Sequence, residues 1–225
     1  MTPLPKIKLT YFDIEGVAEA VRLALVLSNT PFEDDRVGFG DWGEMKPKTP
    51  YGCLPIMSVD DGPLRTQSMA MLRWVGSSCS ETLYPRDKIF DIEEAIGLME
   101  DLNKSWYPAF AIGMRPQNYG RPEGFGQTEE GKKIIKEMRE TWFQNELPRF
   151  LTYIENKLEG NQWLAGGETP TIADCVAVPI LRNFSRGHVD HVPATALDSH
   201  PKVVDYIKRF CAQPQLKGRY NNGIH

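Results

Sequence analysis

Residues 7–23 decide the fold of this chain, because a short apolar strand leads there directly into a helix. The stretch reads Ile7-Lys8-Leu9-Thr10-Tyr11-Phe12-Asp13-Ile14-Glu15-Gly16-Val17-Ala18-Glu19-Ala20-Val21-Arg22-Leu23. The residues up to Tyr11 have the pattern of a strand, and the apolar spacing after Gly16 is that of a helix. Tyr11 therefore ends a strand opposite a helix start, where its hydroxyl is a candidate hydrogen-bond donor to a bound anion.

The first third of the chain alternates between strand and helix patterns. Asp60-Asp61-Gly62 is a hairpin signal between two of the strands. The predicted order is βαβ followed by ββα, which is typical of a thioredoxin-like domain. The predicted elements are a strand at 6–11, a helix at 16–28, a weaker strand at 32–37, a helical turn at 42–46, strands at 55–59 and 63–65, and a helix at 68–78.

Beyond this region the hydrophobic period is helical throughout. Thr171 and Asp174 have the spacing of a helix-capping box. Helices are predicted at 89–114, 128–158 with a bend at Pro148, 171–183 and 201–211, with a Gly- and Pro-rich loop at 113–127. The predicted fold is an α/β thioredoxin-like N-terminal domain (1–79), a linker (80–87) and an all-α C-terminal domain (88–225).

Composition excludes several classes of protein. The 225 residues are 41% hydrophobic and 25% charged with net charge -4, and without a dense basic run we expect no nucleic-acid partner. No apolar stretch approaches the ~20 residues of a membrane span, and residues 1–6 lack a signal-peptide pattern. The cysteines lie far apart and His188 and His191 lack a third ligand, so we expect no metal and a cytoplasmic protein with reduced thiols. The cysteines are Cys53, Cys79, Cys175 and Cys211.

Five fragments in order resemble a cytosolic glutathione transferase, closest to the sigma class, over nearly the whole chain. They are Leu9-Thr10-Tyr11-Phe12 with Gly16-x-Ala18-Glu19-x-x-Arg22, Asp41-Trp42 with Lys46, Gly52-Cys53-Leu54-Pro55-Ile56, Gln67-Ser68-x-Ala70, and Thr171-x-x-Asp174. The resemblance implies that Tyr11 is the catalytic residue. A thiol is mostly protonated at neutral pH, and a hydroxyl that donates to the sulfur favours the reactive thiolate.

The resemblance also implies a set of glutathione contacts. Gln67 and Ser68 open a helix, whose free N–H groups suit the γ-glutamyl carboxylate, although Ser68 could be a simple cap. A cis Leu54–Pro55 bond would let the backbone of Leu54 pair with the cysteinyl peptide. Asp101 is implied to reach the partner subunit's glutathione in a homodimer, although a solvated helix face is an equal alternative. The implied contacts are Trp42, Lys46, Leu54, Pro55, Gln67, Ser68 and Asp101.

Three features depart from the sigma pattern. Glu15 and Val17 stand where arginines usually flank the glycine, and Cys53 stands where the class often has a lysine. Loss of the two cations should weaken support for the thiolate. Weaker glutathione binding than in a typical member of the class, or a different second substrate, is therefore expected. The 113–127 loop is also unusual. The candidate electrophile pocket, between the Tyr11–Gly16 segment and the first long helix, consists of Ile14, Val17, Trp106, Phe110 and Met114.

The sequence therefore predicts an enzyme of detoxification that conjugates glutathione, as co-substrate, to small hydrophobic electrophiles. Tyr51, before Gly52, is a candidate aromatic contact in a homodimer. Two alternatives stay open. One is a glutathione-dependent isomerase like the prostaglandin synthases of the class, and the other is a catalytically weakened glutathione- or ligand-binding protein. A thiol–disulfide oxidoreductase is disfavoured, because residues 11–14 contain no cysteine.

Overall fold

A computed structural model of the chain describes residues 5–220, which form a small mixed sheet followed by a helical region. A single 3₁₀ turn at Gly16–Ala18 separates the first strand from the first helix. The strands are β1 (Ile7–Phe12), β2 (Phe32–Val37) and β3 (Ile56–Val59). The α-helices are α1 (Glu19–Leu27), α2 (Trp42–Met45), α3 (Ser68–Ser78), α4 (Ile89–Ala111), α5 (Glu129–Asn145), α6 (Leu147–Lys157), α7 (Ile172–Arg182) and α8 (Pro201–Cys211).

The sheet has the strand order β2-β1-β3. β1 runs parallel to β2, with Tyr11 opposite Arg36, and antiparallel to β3, with Thr10 opposite Ile56. The carboxyl ends of β1 and β2 and the amino end of β3 therefore lie at one edge of the sheet. Tyr11, near the end of the central strand, stands at that edge.

The predicted strand at 63–65 is wrong. Asp60 and Asp61 form the predicted turn with φ values of 51° and 55°, and the Gly62 N–H donates to the Val59 carbonyl at 2.9 Å. Only one β-bridge follows, between Met57 and Arg65. A continuous fourth strand does not form because Pro63 has no N–H to donate to a ladder.

The predicted helix at 128–158 is two helices in the structure. α5 ends at Asn145 and α6 begins at Leu147, so the interruption falls beside Pro148. In the first turn of α6 the proline costs no hydrogen bond, because the N–H groups there have no partner within the helix. The predicted 113–127 loop contains two 3₁₀ turns, and its Phe125 packs against Ile112 and Ile135.

The predicted capping box at the start of α7 is confirmed. The Thr171 hydroxyl accepts from the Ala173 N–H at 3.3 Å, and the Asp174 carboxylate accepts from the Thr171 N–H at 2.7 Å. Asp174 is fully buried and also accepts from the Tyr206 hydroxyl at 2.8 Å. Burial raises the pKa of Asp174 even though these donors favour its charged form.

Helix packing ties the two regions together. α1 packs on both α3 and α7, and α7 packs on α4. The helix that follows Tyr11 is therefore in direct contact with the buried helix of the helical region. Within residues 5–220, no helix is long and apolar enough to cross a bilayer.

Candidate active site

Tyr11 has the position that the sequence predicts, near the end of β1. Its side chain is 8% exposed, and its hydroxyl makes no hydrogen bond to any residue in the described range. The hydroxyl faces Gly16, where a methyl group on Cα would lie 2.6 Å from the phenol oxygen. Gly16 has φ +45°, so the close approach and the backbone conformation both require glycine. The hydroxyl is thus free to donate to a ligand.

Buried Arg22 supports the loop that follows Tyr11. Its guanidinium donates to the carbonyls of Ile14 at 2.8 Å and Glu15 at 3.3 Å, and lies 5.7 Å from the centre of the Tyr11 ring. Its Nε donates to Asp34 at 2.8 Å. Burial alone would raise the pKa of Asp34, but the hydrogen bonds and charges of Arg22 and Arg36 lower it. The loop is therefore held through its backbone by a paired cation.

The Leu54–Pro55 peptide bond is cis, as the resemblance implies. Since Thr10 pairs with Ile56, this bond lies beside Tyr11 at the same edge of the sheet. Leu54 is half-buried and Pro55 is buried. Cys53 is a free, half-buried thiol whose Sγ lies 3.8 Å from the Pro50 carbonyl oxygen.

Gln67 and Ser68 stand at the start of α3, as predicted. Gln67 is exposed and has φ +73°, which is unusual for a residue with a side chain. No side chain caps this helix, so its first N–H groups remain available to an anion. The bridge between Met57 and Arg65 brings this segment alongside the start of β3.

Trp42 and Lys46 follow β2 at the same edge. Trp42 begins α2, and the centre of its ring lies 5.7 Å from that of Phe12. Lys46 is exposed in a 3₁₀ turn, and its side chain runs close to Gly52. The structure thus brings Tyr11 and six of the predicted contacts to one edge of the sheet: Trp42, Lys46, Leu54, Pro55, Gln67 and Ser68.

Asp101 is placed differently. It lies on α4, 72% exposed, and its nearest cation is Lys104 at 3.8 Å. Among residues 5–220, no hydrogen bond or ion pair joins Asp101 to the residues at the edge that carries Tyr11.

The predicted electrophile residues have unlike environments. Ile14 and Val17 are 42% and 56% exposed on the loop after Tyr11. Trp106, in contrast, is 8% exposed, and its ring lies 4.8 Å from that of Trp142 and 5.8 Å from that of Phe184. Trp106 is thus mainly a core residue. Phe110 is half-buried on α4, and Met114 is exposed just beyond the end of that helix.

Phe39 is a candidate site residue that the sequence analysis missed. It is 67% exposed, and its ring stacks on Phe12 with centres 4.7 Å apart and an interplanar angle of 18°. The Phe12 ring in turn meets Tyr11 edge-on at 5.4 Å. An aromatic residue between Gly38 and Gly40, two residues after the end of the predicted strand at 32–37, is the signal that could have identified it.

Glu15, which departs from the sigma pattern, has cationic partners. Its carboxylate lies 3.1 Å from Arg186 and 3.3 Å from Arg182. The expectation that Glu15 opposes a thiolate assumed an unbalanced carboxylate, and its charge is instead countered by these arginines. Val17 makes no comparable contact and is exposed.

Two further features lie outside this edge. A cavity of about 430 Å³ lies between β3 and α3, lined by Met57, Met71 and Trp74 among others, and Tyr11 does not line it. Within residues 5–220, no cluster of three or more His, Cys, Asp or Glu side chains could hold a metal ion.

A three-stranded thioredoxin-like sheet with a phenol beside a cis-proline, followed by a helical region, is the glutathione transferase fold. Residues 124–221 match the family model described as glutathione S-transferase, C-terminal domain. The chain is 28% identical over 223 residues to the class-mu 28 kDa glutathione S-transferase isozyme of Schistosoma mansoni, covering 92% of this chain and 97% of that protein.

Solved structures give the same result. The glutathione S-transferase of Ascaris lumbricoides matches with a TM-score of 0.73 and 26% identity, covering 97% of this chain and 98% of that one. The prostaglandin synthase D of Nilaparvata lugens has the same fold, with a TM-score of 0.76, 23% identity and coverage of 97% and 98%. These likenesses extend over nearly the whole chain and give it the glutathione transferase fold.

Proposed function

We propose that the chain is a glutathione transferase that joins the glutathione thiolate to small hydrophobic electrophiles, with Tyr11 as the catalytic residue. One observation carries the proposal. The Tyr11 hydroxyl has no hydrogen-bond partner in the described chain, although its side chain is 8% exposed and stands at the edge where three strands meet a helix start. The hydroxyl oxygen remains accessible from solvent, so a ligand atom that reaches this edge can accept its hydrogen.

The reaction follows from the chemistry of the sulfur. Tyr11 donates its O–H to the glutathione sulfur, which lowers the thiol pKa and releases the thiol proton to solvent. The sulfur then attacks the electrophilic carbon, and the carbon–sulfur bond forms as the leaving group departs with its bonding electron pair. Tyr11 stays protonated throughout and acts as a donor, not as a base.

The remaining glutathione contacts are assigned by their placement. We assign the γ-glutamyl carboxylate to the uncapped start of α3 at Gln67 and Ser68, where free N–H groups and the helix dipole favour an anion. The backbone of Leu54, fixed by the neighbouring Pro55, would pair with the cysteinyl peptide. Trp42 and Lys46 would hold the glycyl carboxylate.

We further propose a sigma-class cytoplasmic homodimer with a glutathione-binding domain at 1–79 and a helical domain at 88–225. Two observations support a dimer. Tyr51 and Phe90 are large apolar residues that are 85% and 81% exposed, so both rings are available to an interface. Within residues 5–220, Asp101 pairs only with Lys104 of its own helix, which leaves its carboxylate available to a second subunit.

The test is conjugation of glutathione to chloronitrobenzene, with equilibrium binding of glutathione measured in parallel, for the wild type and Tyr11→Phe. We expect wild-type turnover that falls at least about 100-fold in the variant while glutathione still binds. Binding without turnover in the wild type would instead favour a binding protein. Turnover of a prostaglandin endoperoxide with no net loss of glutathione would favour the isomerase alternative.

A further inference from the structure

Glu15 connects the loop after Tyr11 to the far end of the chain. This loop, residues 12–18, is called the Tyr11 loop. The Glu15 carboxylate accepts from Arg186 at 3.1 Å and from Arg182 at 3.3 Å, which are 171 and 167 residues away in sequence. Arg182 is the last residue of α7 and its side chain is 3% exposed, so one of the two partners is buried.

A second carboxylate four residues later is held in the same way. Glu19 is buried at the start of α1 and accepts two hydrogen bonds from Arg219, both at 2.9 Å. The Tyr220 hydroxyl donates to Glu19 at 2.8 Å, and the Arg182 guanidinium lies 3.9 Å from the centre of the Tyr220 ring. The two sets of contacts therefore form one cluster beside the Tyr11 loop.

Glu15 directly precedes the residue that limits the space at the Tyr11 hydroxyl. That residue is Gly16, whose backbone approaches the phenol so closely that a methyl group would lie 2.6 Å from its oxygen. Arg22 holds the carbonyls of the loop, and Arg182 and Arg186 hold the Glu15 side chain. Release of that side chain would let the backbone at Gly16 move where the sulfur must bind.

We infer that Glu15 is a positioning residue, whose ion pairs with Arg182 and Arg186 fix the Tyr11 loop against α7 so that the Tyr11 hydroxyl is correctly placed. The inference rests on the proposed transferase function. It also assigns a role to Arg186, which is 34% exposed and has no other charged partner within the described residues.

If Glu15 acts through its charge or through its position, neutralising it shifts the pKa of the bound glutathione thiol in opposite directions. If Glu15 acted only through its charge, its neutralisation would remove a carboxylate near the sulfur and lower the pKa of the bound thiol. If Glu15 positions the loop, its neutralisation weakens the hydrogen bond from Tyr11 and raises that pKa. A loss of folding stability alone would leave the pKa of the bound thiol unchanged.

The experiment measures the pKa of the thiol of bound glutathione and kcat/KM in the wild type, Glu15→Gln, Arg186→Gln, the double variant and Asp13→Asn. Asp13 is the matched control, because it lies on the same loop, is 72% exposed, and pairs with Arg36 at 2.9 Å in its own region. We expect Glu15→Gln and Arg186→Gln each to raise the thiol pKa and to lower kcat/KM about tenfold, with the double variant no worse than either. Asp13→Asn should leave both unchanged.

Amide hydrogen exchange of the Tyr11 loop adds a readout that needs no turnover. We expect faster exchange in residues 12–18 for Glu15→Gln and Arg186→Gln than for the wild type or Asp13→Asn. An unchanged exchange rate, or a thiol pKa that falls or stays the same in Glu15→Gln, would overturn the inference. A wild type that does not ionise glutathione, and that behaves like Tyr11→Phe, would instead overturn the proposed function.

Discussion

The Tyr11 hydroxyl lies against the backbone of Gly16, close enough that any side chain at position 16 would meet the phenol. The glycine also has φ +45°, a conformation that other residues seldom adopt. These two residues come from the end of β1 and the turn before α1. Their contact therefore joins the strand-to-helix transition of the fold to the reactive group of the candidate site.

Gly16→Ala should disable the site. The added methyl group would lie 2.6 Å from the Tyr11 oxygen, so the phenol or the loop must shift. We expect kcat/KM for conjugation to fall about 100-fold, because a shift of about 1 Å at a reacting group has this effect. Steady-state kinetics and the thermal midpoint of unfolding check the result.

The control for this substitution is Gly120→Ala. Gly120 also has a positive φ, +67°, but a methyl group there would meet nothing within 4 Å. In both variants, backbone strain should lower the free energy of unfolding by about 1–2 kcal/mol. Only Gly16→Ala should lose activity. Equal activity in the two variants would show that the contact with Tyr11 is unimportant.

Phe39→Ala should weaken the binding of flat aromatic electrophiles. One face of the Phe39 ring stacks on Phe12, and the residue is 67% exposed beside the candidate site. Stacking is worth about 1 kcal/mol, so KM for an aromatic electrophile should rise about fivefold.

An aliphatic electrophile is the matched comparison for Phe39. The KM for the aliphatic electrophile should change less in Phe39→Ala, because only an aromatic electrophile can stack on the Phe39 ring. For the aromatic electrophile, Phe39→Leu should resemble Phe39→Ala. Tyr153→Ala, which removes an exposed ring from α6, controls for the loss of a surface aromatic. Equal changes in KM for both substrates would argue against an aromatic contact.

The ion pair between Arg73 of α3 and Glu93 of α4 should make stability depend on acid pH. Arg73 donates two hydrogen bonds to Glu93, at 2.8 and 2.6 Å, and lowers the pKa of Glu93 below its ordinary value of 4.5. The stabilisation is therefore complete above about pH 4.5 and is lost as the pH falls through the lower folded pKa. Urea unfolding of the wild type and Glu93→Gln from pH 7 to pH 3 measures this difference.

We expect Glu93→Gln to cost about 1 kcal/mol at pH 7, since both side chains are about a third exposed and solvent screens the pair. The difference in the free energy of unfolding between the wild type and Glu93→Gln should become smaller towards pH 3. Glu129→Gln, which removes a highly exposed partner of Lys132, is the control and should change the unfolding curve much less than Glu93→Gln does. If this difference in the free energy of unfolding stayed constant with pH, the charge of Glu93 would not be its cause.

Local sequence signals predicted much of this molecule. Tyr11 near the end of β1 and the Thr171–Asp174 capping box follow from residues a few positions apart, because threonine caps a helix. The cis Leu54–Pro55 bond was implied by the family resemblance and is an isomer that proline admits. Together these features bring most of the predicted site residues to one edge of the sheet.

The errors arose where distant residues or competing local effects decide the structure. Pro63 limits a predicted strand to one bridge, and the break beside Pro148 divides a continuous apolar stripe into two helices. The partners of Glu15 lie more than 160 residues away, so no local pattern relates Arg182 or Arg186 to the Tyr11 loop. Sequence reasoning therefore treated Glu15 as an unpaired carboxylate.

The most direct test of the central claim is the pH titration of thiolate absorbance for glutathione bound to the wild type and to Tyr11→Phe. We expect the thiol of glutathione bound to the wild type to ionise well below the pKa of free glutathione. In Tyr11→Phe the thiol pKa should return nearly to its free value while glutathione still binds. Equal titration curves for the two proteins would contradict the claim that the Tyr11 hydroxyl stabilises the thiolate.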